Sequence, residues 1–450
     1  MRTWLSYTRD RFEALPVSRQ RLLVTMAFVM AQVLIWTVFL EILWYGNRNI
    51  TDLPLYYNYA GRIAGGMLPY RDFALEYPPV GMMLLLLPRL ISGPGYGAYV
   101  FWFQAELLAM SCGIVVMLSG MAWRQWQSVR KMAQVLALYS FFILALGSIV
   151  KLRYDLAAAF VMLACLAAFT SDRRRLAWLL IGVGIMTKVV PVLMAPVFLI
   201  VHFRRRQYRE MLTGPVLALL VALLIALPFL LASPSGLATA FTYHVERPLQ
   251  LESSWASPLL LLSVFVDFEL KVMPSYGSHN VFSAGSDALA TLSGPVTLAL
   301  LVAGYLVFWR GSRAPRDESA GMLGGHDGAE QQRYRQSQVT LFSTLAIASF
   351  IFGGKVLSPQ FMIWLLPLMP LIACRQRRLL LGLFTAILLI THWEFPTRYW
   401  GLYMMQTDMI IVVTLRNLLL GVMVFSLLAA GRRAAAPKKL RLTEVCADSR

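Results

Sequence analysis

Long runs of apolar residues alternate with short polar segments along most of this 450-residue chain. Many of these runs approach the roughly 20 residues that a helix needs to cross a bilayer. The pattern predicts about twelve membrane-spanning helices, with ten as the lower bound because several runs are short. The predicted spans are 22–44, 97–122, 132–150, 156–170, 176–187, 190–203, 211–232, 287–309, 338–354, 361–374, 379–392 and 405–430.

The region 176–203 is the least regular part of this pattern. Both of its flanks are basic, and Lys188 and Pro191 interrupt it near the middle. Non-helical backbone at membrane depth is tolerated only where protein or a water-filled cavity surrounds it. We therefore expect either two half-length helices that meet at Lys188 or one broken span.

Composition places the chain among integral membrane proteins. Hydrophobic residues make up 58% of the chain and charged residues only 14%, and the mean hydropathy is +0.62. Water-soluble domains are less apolar than this. The expected fold class is therefore an all-α polytopic membrane protein.

The net charge of +18 would also suit a nucleic-acid-binding protein, but the positions of the basic residues argue against one. Lysines and arginines cluster between apolar runs, as in "WRQWQSVRK" near position 123 and "FRRRQYR" near position 203. This distribution follows the positive-inside rule and predicts seven cytoplasmic segments. We expect a multi-pass protein of the cell (plasma) membrane with both termini in the cytoplasm and no nucleic-acid partner.

One polar stretch divides the predicted bundle into two parts. Residues 311–337 are rich in Gly, Ser and mixed charges, which is typical of a linker. The predicted organisation is an N-terminal membrane module at 1–310 with outer loops at 45–96 and 233–286. A cytoplasmic linker at 311–337, a C-terminal module at 338–430 and a basic cytoplasmic tail at 431–450 follow.

Most of the remaining charged residues fall in segments on the side opposite the basic clusters. These segments are 45–96, 151–155, the break near 188, 233–286, 355–360 and 392–404. Ionisable residues near membrane depth cost roughly 2.5–3.5 kcal/mol each, so they normally mark a functional cavity. We therefore expect one polar site that opens to the extracytoplasmic side.

Five stretches of the sequence occur in an order known from one enzyme family. They are "TDLPLYYNYAGRIAGGMLPYRDFALEYPPV", "KLRYDLAAAF", "GIMTKVVPVLMAP", "YHVERPLQLESSW" and "GGKVLSPQFMIWLLPL". From about residue 45 to 370 the chain resembles glycosyltransferase family 87, the DUF2029-like branch of the GT-C superfamily. These enzymes are similar to the polyprenyl-phosphate-mannose-dependent mannosyltransferases of bacterial envelopes. The resemblance implies a GT-C-type helical bundle with surface helices on the outer face.

The resemblance also implies an activity, that of a hexosyltransferase. The donor would be a polyprenyl-phosphate-linked sugar, most often mannose, and the acceptor a hydroxyl of a lipid or glycan outside the cytoplasm. Asp52 occupies the position of the family's catalytic base, after the first span and before a GG turn and YPP. In "EYPPV" the prolines cannot lie inside a helix, so we expect the loop to end there and a surface helix to cover 79–91.

The chemistry expected of these residues is an inverting single displacement. An aspartate carboxylate, with an ordinary pKa of about 3.9, is ionised at neutral pH and can accept the acceptor hydroxyl's proton. The leaving phosphate requires cations more than an acid, and the donor phosphate-binding candidates are Lys355, Arg247, Arg153 and Lys188. With such cations we expect no metal ion and no other cofactor.

Each of these assignments has a structural alternative. Asp52 is also a favoured residue for capping the helix that begins at Leu53. Arg153 with Asp155 would form a structural ion pair, and Asp72 and Glu76 would pair with Arg71 or Arg62 to hold the loop. Further substrate-binding candidates are Tyr56, Glu76, Tyr77, His244, Gln250, Glu252, Gln360 and His392. Tyr56, Tyr57, Trp393 and Trp400 could stack on sugar faces, but aromatic residues at these positions are more typical of a membrane-interface belt.

Two other functions remain as alternatives, an envelope glycan ligase or polymerase and a lipid-linked sugar flippase or transporter. A ligase would use a lipid diphosphate donor and should have one long outer loop rich in Arg and His. A transporter should carry charges near mid-bilayer and often has inverted repeats, and no internal repeat is found. Gly-rich phosphate loops, HExxH and GxSxG are also missing from the sequence. The glycosyltransferase interpretation is favoured over both.

Overall fold

The computed structural model describes residues 10–42, 50–312 and 326–434. The protein is 78% helical, which confirms the predicted all-α polytopic class. Parts of three predicted regions lie outside the described residues, namely 45–49 of the first outer loop, 313–325 of the linker and 435–450 of the tail.

The helices follow the apolar runs of the sequence. In chain order the longer ones are α1 (Val17–Leu34), α2 (Leu53–Ala64), α3 (Pro79–Ser92), α4 (Tyr96–Trp126), α5 (Val129–Leu146), α6 (Asp155–Thr170), α7 (Arg174–Thr187), α8 (Ala195–Arg204), α9 (Tyr208–Ala232), α10 (Pro234–Glu246), α11 (Ser257–Phe265), α12 (Ser286–Gly311), α13 (His326–Gly353), α14 (Arg377–His392) and α15 (Thr407–Ala434). The helix predicted at 79–91 is confirmed as α3, while its position at the membrane surface stays a prediction.

Eight helices in the described part of the chain are long and apolar enough to cross a membrane. They are Val17–Phe39, Tyr96–Trp126, Val129–Leu146, Tyr208–Ala232, Ser286–Gly311, Gln332–Gly353, Arg377–Thr397 and Thr407–Arg433. Shorter apolar helical segments cover Pro79–Ser92, Asp155–Thr170, Val190–Arg204 and Pro359–Leu371. Within the described residues, each predicted span except 361–374 coincides largely with helical backbone. The number of crossings stays a prediction.

The chain breaks at Lys188, as the sequence predicted. Helix α7 ends at Thr187, and Lys188 is extended with φ −164° and ψ 132°. Pro191 then lies at the start of a 3₁₀ segment, Val190–Met194, that leads into α8. Proline lacks an N–H and disfavours helical geometry in the residue before it, so a continuous helix cannot form here.

The predicted span 361–374 is wrong as a regular helix. The segment forms two 3₁₀ pieces, Pro359–Leu365 and Met369–Leu371, and is almost entirely buried. Pro367 and Pro370 remove the N–H groups that an α-helix would need, and they confine the segment to short turns. The hydrophobicity of this run therefore reflects burial inside the protein.

Helix α13 begins well before the predicted span 338–354. It starts at His326, within the residues assigned from sequence to the linker. Glu, Gln and Arg are abundant between 326 and 337, and they are good helix formers despite their polarity. Low hydrophobicity therefore concealed a polar extension of the span.

The second outer loop contains a β-hairpin that the sequence pattern did not predict. Strands β1 (Leu270–Ser275) and β2 (Ser278–Ser283) pair antiparallel, with Pro274 opposite His279. The two-residue turn has positive φ at both positions, 51° at Tyr276 and 63° at Gly277. Positive φ at both central residues is the geometry of a type I′ turn, whose twist matches that of the strands.

The second outer loop is anchored by an apolar cluster of its own. Its members come from the loop and from the beginning of α15, and include Leu249, Leu251, Leu260, Val281, Leu402, Met409, Ile410 and Val413. The backbone N–H of Gln250 donates to the carbonyl of Lys355 at 3.0 Å, and that of Leu251 donates to His279 at 3.0 Å. These contacts hold the loop, the hairpin and the end of α13 in one arrangement.

Candidate active site

Asp52 lies immediately before α2, at the cap position, but its side chain does not cap the helix. The hydroxyl of Thr51 accepts the N–H of Leu53 instead, at 3.2 Å. The carboxylate of Asp52 forms an ion pair with Arg153 and lies 3.4 Å from the hydroxyl of Tyr56, and its side chain is 32% exposed. The capping alternative for Asp52 therefore has no support in the geometry.

Arg153 precedes α6, and its side chain is almost completely buried. Burial lowers its pKa to about 10, so the guanidinium remains charged at neutral pH. Its central carbon lies 5.9 Å from the ring centre of Phe395. The predicted ion pair between Arg153 and Asp155 is wrong, because Arg153 reaches across to Asp52 and Asp155 has a different partner.

That partner is Lys188, at the break between α7 and α8. Asp155 is fully buried, and its Oδ1 accepts from Lys188 Nζ at 2.7 Å and from Trp364 Nε1 at 2.8 Å. The rings of Tyr154, Trp364 and Phe361 surround the ammonium, with centres 4.8, 5.3 and 5.6 Å from Nζ. Aromatic faces attract cations, so the ammonium is held by both charge and rings.

Lys355 and Arg247 come from two further segments. Lys355 follows α13 and donates to the carbonyl of Val245 at 2.6 Å, near the end of α10. Desolvation, and then the charge of Arg247, lower the pKa of Lys355. Desolvation also lowers the pKa of Arg247, whose guanidinium lies 5.9 Å from the ring centre of Tyr243.

The structure thus gathers the four cations predicted to bind phosphate. Lys188 lies within electrostatic range of both Arg153 and Arg247, and Arg247 lies within range of Lys355. We call Arg153, Lys188, Arg247 and Lys355 the cation cluster. Its members are contributed by four separate segments, each at the end or start of a helix, and one of them contacts Asp52 directly.

Glu76 and Tyr77 lie beside this cluster and are held by other tyrosines. Glu76 accepts from the hydroxyl of Tyr59 at 2.7 Å. The ring of Tyr77 lies 5.8 Å from that of Tyr56 and 5.1 Å from that of Tyr154, both edge-on. In the same loop Asp72 pairs with Arg71 at 2.8 Å, which confirms its predicted role in holding the loop.

His244 lies on α10, next to the cation cluster. Desolvation, followed by the positive charges of Arg247 and Lys188, lowers its pKa to about 4. The imidazole is therefore neutral at neutral pH, when it can exchange hydrogen bonds but adds no charge to the cluster.

Gln250 and Glu252 connect the second outer loop to the segment after α13. The amide of Gln250 donates to Glu252 at 2.9 Å and to Ser358 at 3.3 Å, and its oxygen accepts from the N–H of Leu357 at 2.8 Å. Gln360 is half-buried in the following turn. These contacts fix the segment that carries Lys355.

Glu252 also forms a buried carboxyl pair with Glu394. Desolvation, and then the charge of the neighbouring Glu394, raise the pKa of Glu252 well above its usual range. Two buried carboxyl groups side by side cannot both be ionised, so the pair carries a proton. Arg416, fully buried in α15, donates to Glu394 at 2.9 Å and to the backbone of Glu252 at 2.6 Å.

His392 is the predicted site residue that the fold places elsewhere. Its Nδ1 lies 3.1 Å from the carbonyl of Leu146. The ring occupies the space over Gly147, where a Cβ would be 2.0 Å from Nδ1. His392 therefore packs the end of α5 against α14.

Sequence reasoning missed several residues of this region. Trp364 lies in an apolar run and Phe395 is an uncharged residue in a charged segment, so nothing in the sequence singled them out. Arg416 gave a usable signal, because an arginine inside the predicted span 405–430 is costly unless it has a buried partner.

Arg153, Asp155 and Arg247 each have a buried side-chain atom that makes no hydrogen bond with the described protein. The atoms are Arg153 Nε, Asp155 Oδ2 and Arg247 Nε. A buried polar atom without a partner costs about 1–3 kcal/mol, and its presence calls for an explanation such as a ligand or water. Other such atoms lie elsewhere in the protein, among them Arg21 Nε and Arg89 Nε, so these three do not by themselves identify a site. Within the described residues, no group of three or more His, Cys, Asp or Glu is placed to hold a metal ion.

A helical, polytopic membrane protein with a carboxylate beside buried cations at its helix ends has the features of a membrane enzyme. The sequence model of glycosyltransferase family 87 matches residues 75–325 of the chain, which therefore belongs to that family. The protein is a membrane glycosyltransferase. No curated protein matches the chain. The matched region includes Arg153, Lys188 and Arg247 and excludes Asp52 and Lys355.

Proposed function

We propose that this glycosyltransferase moves a sugar, with mannose the first to test, from a polyprenyl-phosphate donor to a hydroxyl of a lipid or glycan acceptor. The observation that carries the proposal is the ion pair between Asp52 and Arg153, which is a member of the cation cluster. A phosphate with a lipid tail reaches such a group of cations at the end of a membrane bundle without leaving the bilayer surface.

The proposed reaction is a single displacement at the anomeric carbon. The acceptor oxygen forms a bond to this carbon while the bond from the carbon to the phosphate oxygen breaks. Asp52 accepts the acceptor's proton, and polyprenyl phosphate leaves with the electron pair. The anomeric centre inverts, so a β-linked donor gives an α-glycoside.

The cation cluster would act on the leaving phosphate. Negative charge increases on that phosphate as the sugar departs, and fixed cations stabilise the transition state more than the ground state. Asp155 and the three surrounding rings hold Lys188 in place before the donor arrives. No step of this scheme requires a metal ion or another cofactor.

Arg153 links the two halves of the reaction. It pairs with Asp52 in the absence of substrate, and a carboxylate engaged by a guanidinium is a weaker base than a free one. In our proposal the donor phosphate competes for Arg153 and leaves Asp52 free to accept the proton.

The proposed location follows from the basic segments of the sequence. Under the positive-inside rule these lie in the cytoplasm, so the site faces the extracytoplasmic side of the plasma membrane. Lipid-linked monosaccharides would be the available donors on that side.

The test uses the purified protein in detergent. It is incubated with polyprenyl-phosphate-linked mannose, glucose and arabinose, and free polyprenyl phosphate is measured. We expect release from one of these donors, undiminished by EDTA and lost in Asp52→Asn. Release from none of them, or sugar transfer from a nucleotide-linked donor instead, would overturn the proposal.

A further inference from the structure

An aromatic cluster surrounds His279 on the hairpin of the second outer loop. Nδ1 of His279 lies 2.6 Å from the hydroxyl of Tyr399. Its ring centre is 4.5 Å from that of Tyr403 and 6.1 Å from that of Trp400, while the rings of Trp400 and Tyr403 meet edge-on at 5.6 Å. Trp400 is 47% exposed, and His279 and Tyr403 are half-buried.

We propose that His279, Trp400 and Tyr403 form a saccharide-binding subsite for the acceptor. This inference rests on the proposed function. The C–H face of a sugar ring is apolar and covers an aromatic ring, whereas its hydroxyl groups require precisely placed polar atoms. Nε2 of His279 makes no hydrogen bond within the described residues, so it is available to a hydroxyl once Nδ1 is engaged by Tyr399.

Exposed charged residues flank this cluster. Arg398, two residues before Trp400, pairs with Asp408 at 2.8 Å, and both side chains are exposed. Lys271 on the hairpin and Glu269 just before it are also exposed, at 64% and 77% of their side chains. These charges exclude a position in the hydrocarbon, so a saccharide in water can reach the rings.

The position of the cluster relative to Asp52 identifies the substrate it would hold. Tyr399 lies within electrostatic range of Arg153 and stacks edge-on against Phe395, which contacts Arg153. Arg153 is therefore near both Tyr399, the partner of His279, and Lys188 of the cation cluster. Because the donor phosphate is assigned to the cations, a saccharide at Trp400 belongs to the acceptor.

The test separates transfer to a sugar from transfer to water. Release of polyprenyl phosphate is measured with the best donor, alone and with a panel of octyl glycosides as acceptor probes. Trp400→Ala and His279→Ala should raise the KM of the stimulating glycoside at least about fivefold, the scale of one lost ring contact. Release without glycoside and donor KM should not change. Trp400→Phe keeps a ring and should retain most of the glycoside affinity.

Trp393 supplies a matched control on the same segment. It is 55% exposed and has no aromatic ring beside it among the described residues, so Trp393→Ala should leave the glycoside KM unchanged. Equal effects of Trp393→Ala and Trp400→Ala, or a glycoside KM within twofold in Trp400→Ala, would assign the cluster to an interface belt. If wild-type protein releases polyprenyl phosphate but no glycoside stimulates it, the acceptor inference is wrong. If wild-type protein releases no polyprenyl phosphate from any donor, the proposed function is wrong, and the acceptor inference is wrong with it.

Discussion

Arg153 forms an ion pair with Asp52 across the gap between α2 and the segment that precedes α6. The sequence places these residues about one hundred positions apart and offers Asp155 as a nearer partner for the arginine. Asp155 is instead occupied by Lys188 and Trp364. The proposed base and the proposed phosphate-binding cations are therefore one connected group of charges, and a change in one should alter the others.

Asp52→Asn tests the base. Asparagine keeps the size of the side chain and loses the proton acceptor, so turnover should fall by about 100-fold or more. The amount of folded protein should change little, because the side chain does not cap α2. Release of polyprenyl phosphate gives the rate, and the monodisperse peak in size-exclusion chromatography gives the folded amount.

Asp72→Asn is the matched control, since Asp72 belongs to the same outer loop but pairs only with its neighbour Arg71 and the backbone of Leu68. Its turnover should stay within about twofold of wild type. Near-normal transfer in Asp52→Asn would remove Asp52 from the chemistry and leave it a structural partner of Arg153.

Asp155→Asn tests whether the buried pair positions Lys188. Removing one partner leaves a buried, uncompensated charge, which typically costs about 3–5 kcal/mol. We expect a lower unfolding temperature in detergent together with a raised donor KM. The double variant Asp155→Asn with Lys188→Met should recover part of the stability without recovering donor binding.

The exposed pair of Arg398 with Asp408 provides the control for stability. Asp408→Asn should cost less than about 1 kcal/mol, as is usual for surface pairs. If the double variant regains normal donor KM as well as stability, Lys188 has no part in binding the phosphate.

Features set by local chemistry could be predicted from the sequence. The prolines of "EYPPV" fixed the beginning of α3, Pro191 predicted the break at Lys188, and loop charges predicted which residues gather around the site. Side-chain pairing was not predictable in the same way. Whether Arg153 meets Asp52 or Asp155 depends on how α2 and α6 pack, and periodicity contains no information on that.

Tertiary packing also explains the remaining errors. The run 361–374 is hydrophobic because it is buried, and hydropathy alone cannot separate a buried 3₁₀ segment from a lipid-facing helix. The hairpin β1–β2 is short, and it is stabilised by contacts with α15 and Tyr399 rather than by its own pattern. The aromatic cluster around His279 could not be recognised before that contact was known.

Glu252→Gln tests the shared proton of the buried carboxyl pair. Because the folded pKa of Glu252 is raised, the folded protein binds a proton that the unfolded chain releases above about pH 4.3. The free energy of unfolding should therefore decrease as pH rises from about 4.3 towards the raised value. Glutamine imitates the protonated acid, so the unfolding free energy of the variant should not decrease over this pH range. At pH 8 it should equal or exceed that of the wild type.

Thermal unfolding in detergent between pH 5 and 8 measures this difference. Glu269→Gln, at a 77% exposed position of the same loop, is the control and should retain the wild-type slope. If the stability of Glu252→Gln depends on pH as strongly as that of the wild type, the pair is not protonated in the folded protein.

Topology can be tested with two probes. A reporter fused after Gly311, at the end of α12, should report the cytoplasm. A cysteine at Glu269, on the exposed face of the hairpin, should be labelled from outside by a membrane-impermeant maleimide. Gly285 is a poorer labelling position because its φ of 92° strains any side chain. Labelling only after the membrane is opened would reverse the proposed orientation of the site.

Lys355→Met tests the cation cluster at its most exposed member. The ammonium is held by the carbonyl of Val245 and lies close to Arg247, so it can attract a lipid phosphate before and during departure of the sugar. We expect kcat/KM for the donor to fall at least about tenfold, with a higher KM and a lower kcat. The KM of the glycoside acceptor at saturating donor should hardly change. Lys355→Arg should recover only part of the loss, because a planar fork does not replace a compact charge.

Lys271→Met provides the control, because Lys271 is a lysine of the same outer face that pairs with Glu269 on the hairpin. Lys271→Met and Lys355→Met each remove one positive charge from the protein. Any general electrostatic attraction of the anionic donor to this face should therefore weaken equally in the two variants. Only Lys355→Met should also lower kcat, since in our proposal its ammonium contacts the phosphate itself. Donor KM and kcat both within about twofold of wild type in Lys355→Met would make Lys355 a structural anchor for α10. We would then assign phosphate binding to Arg247, Arg153 and Lys188.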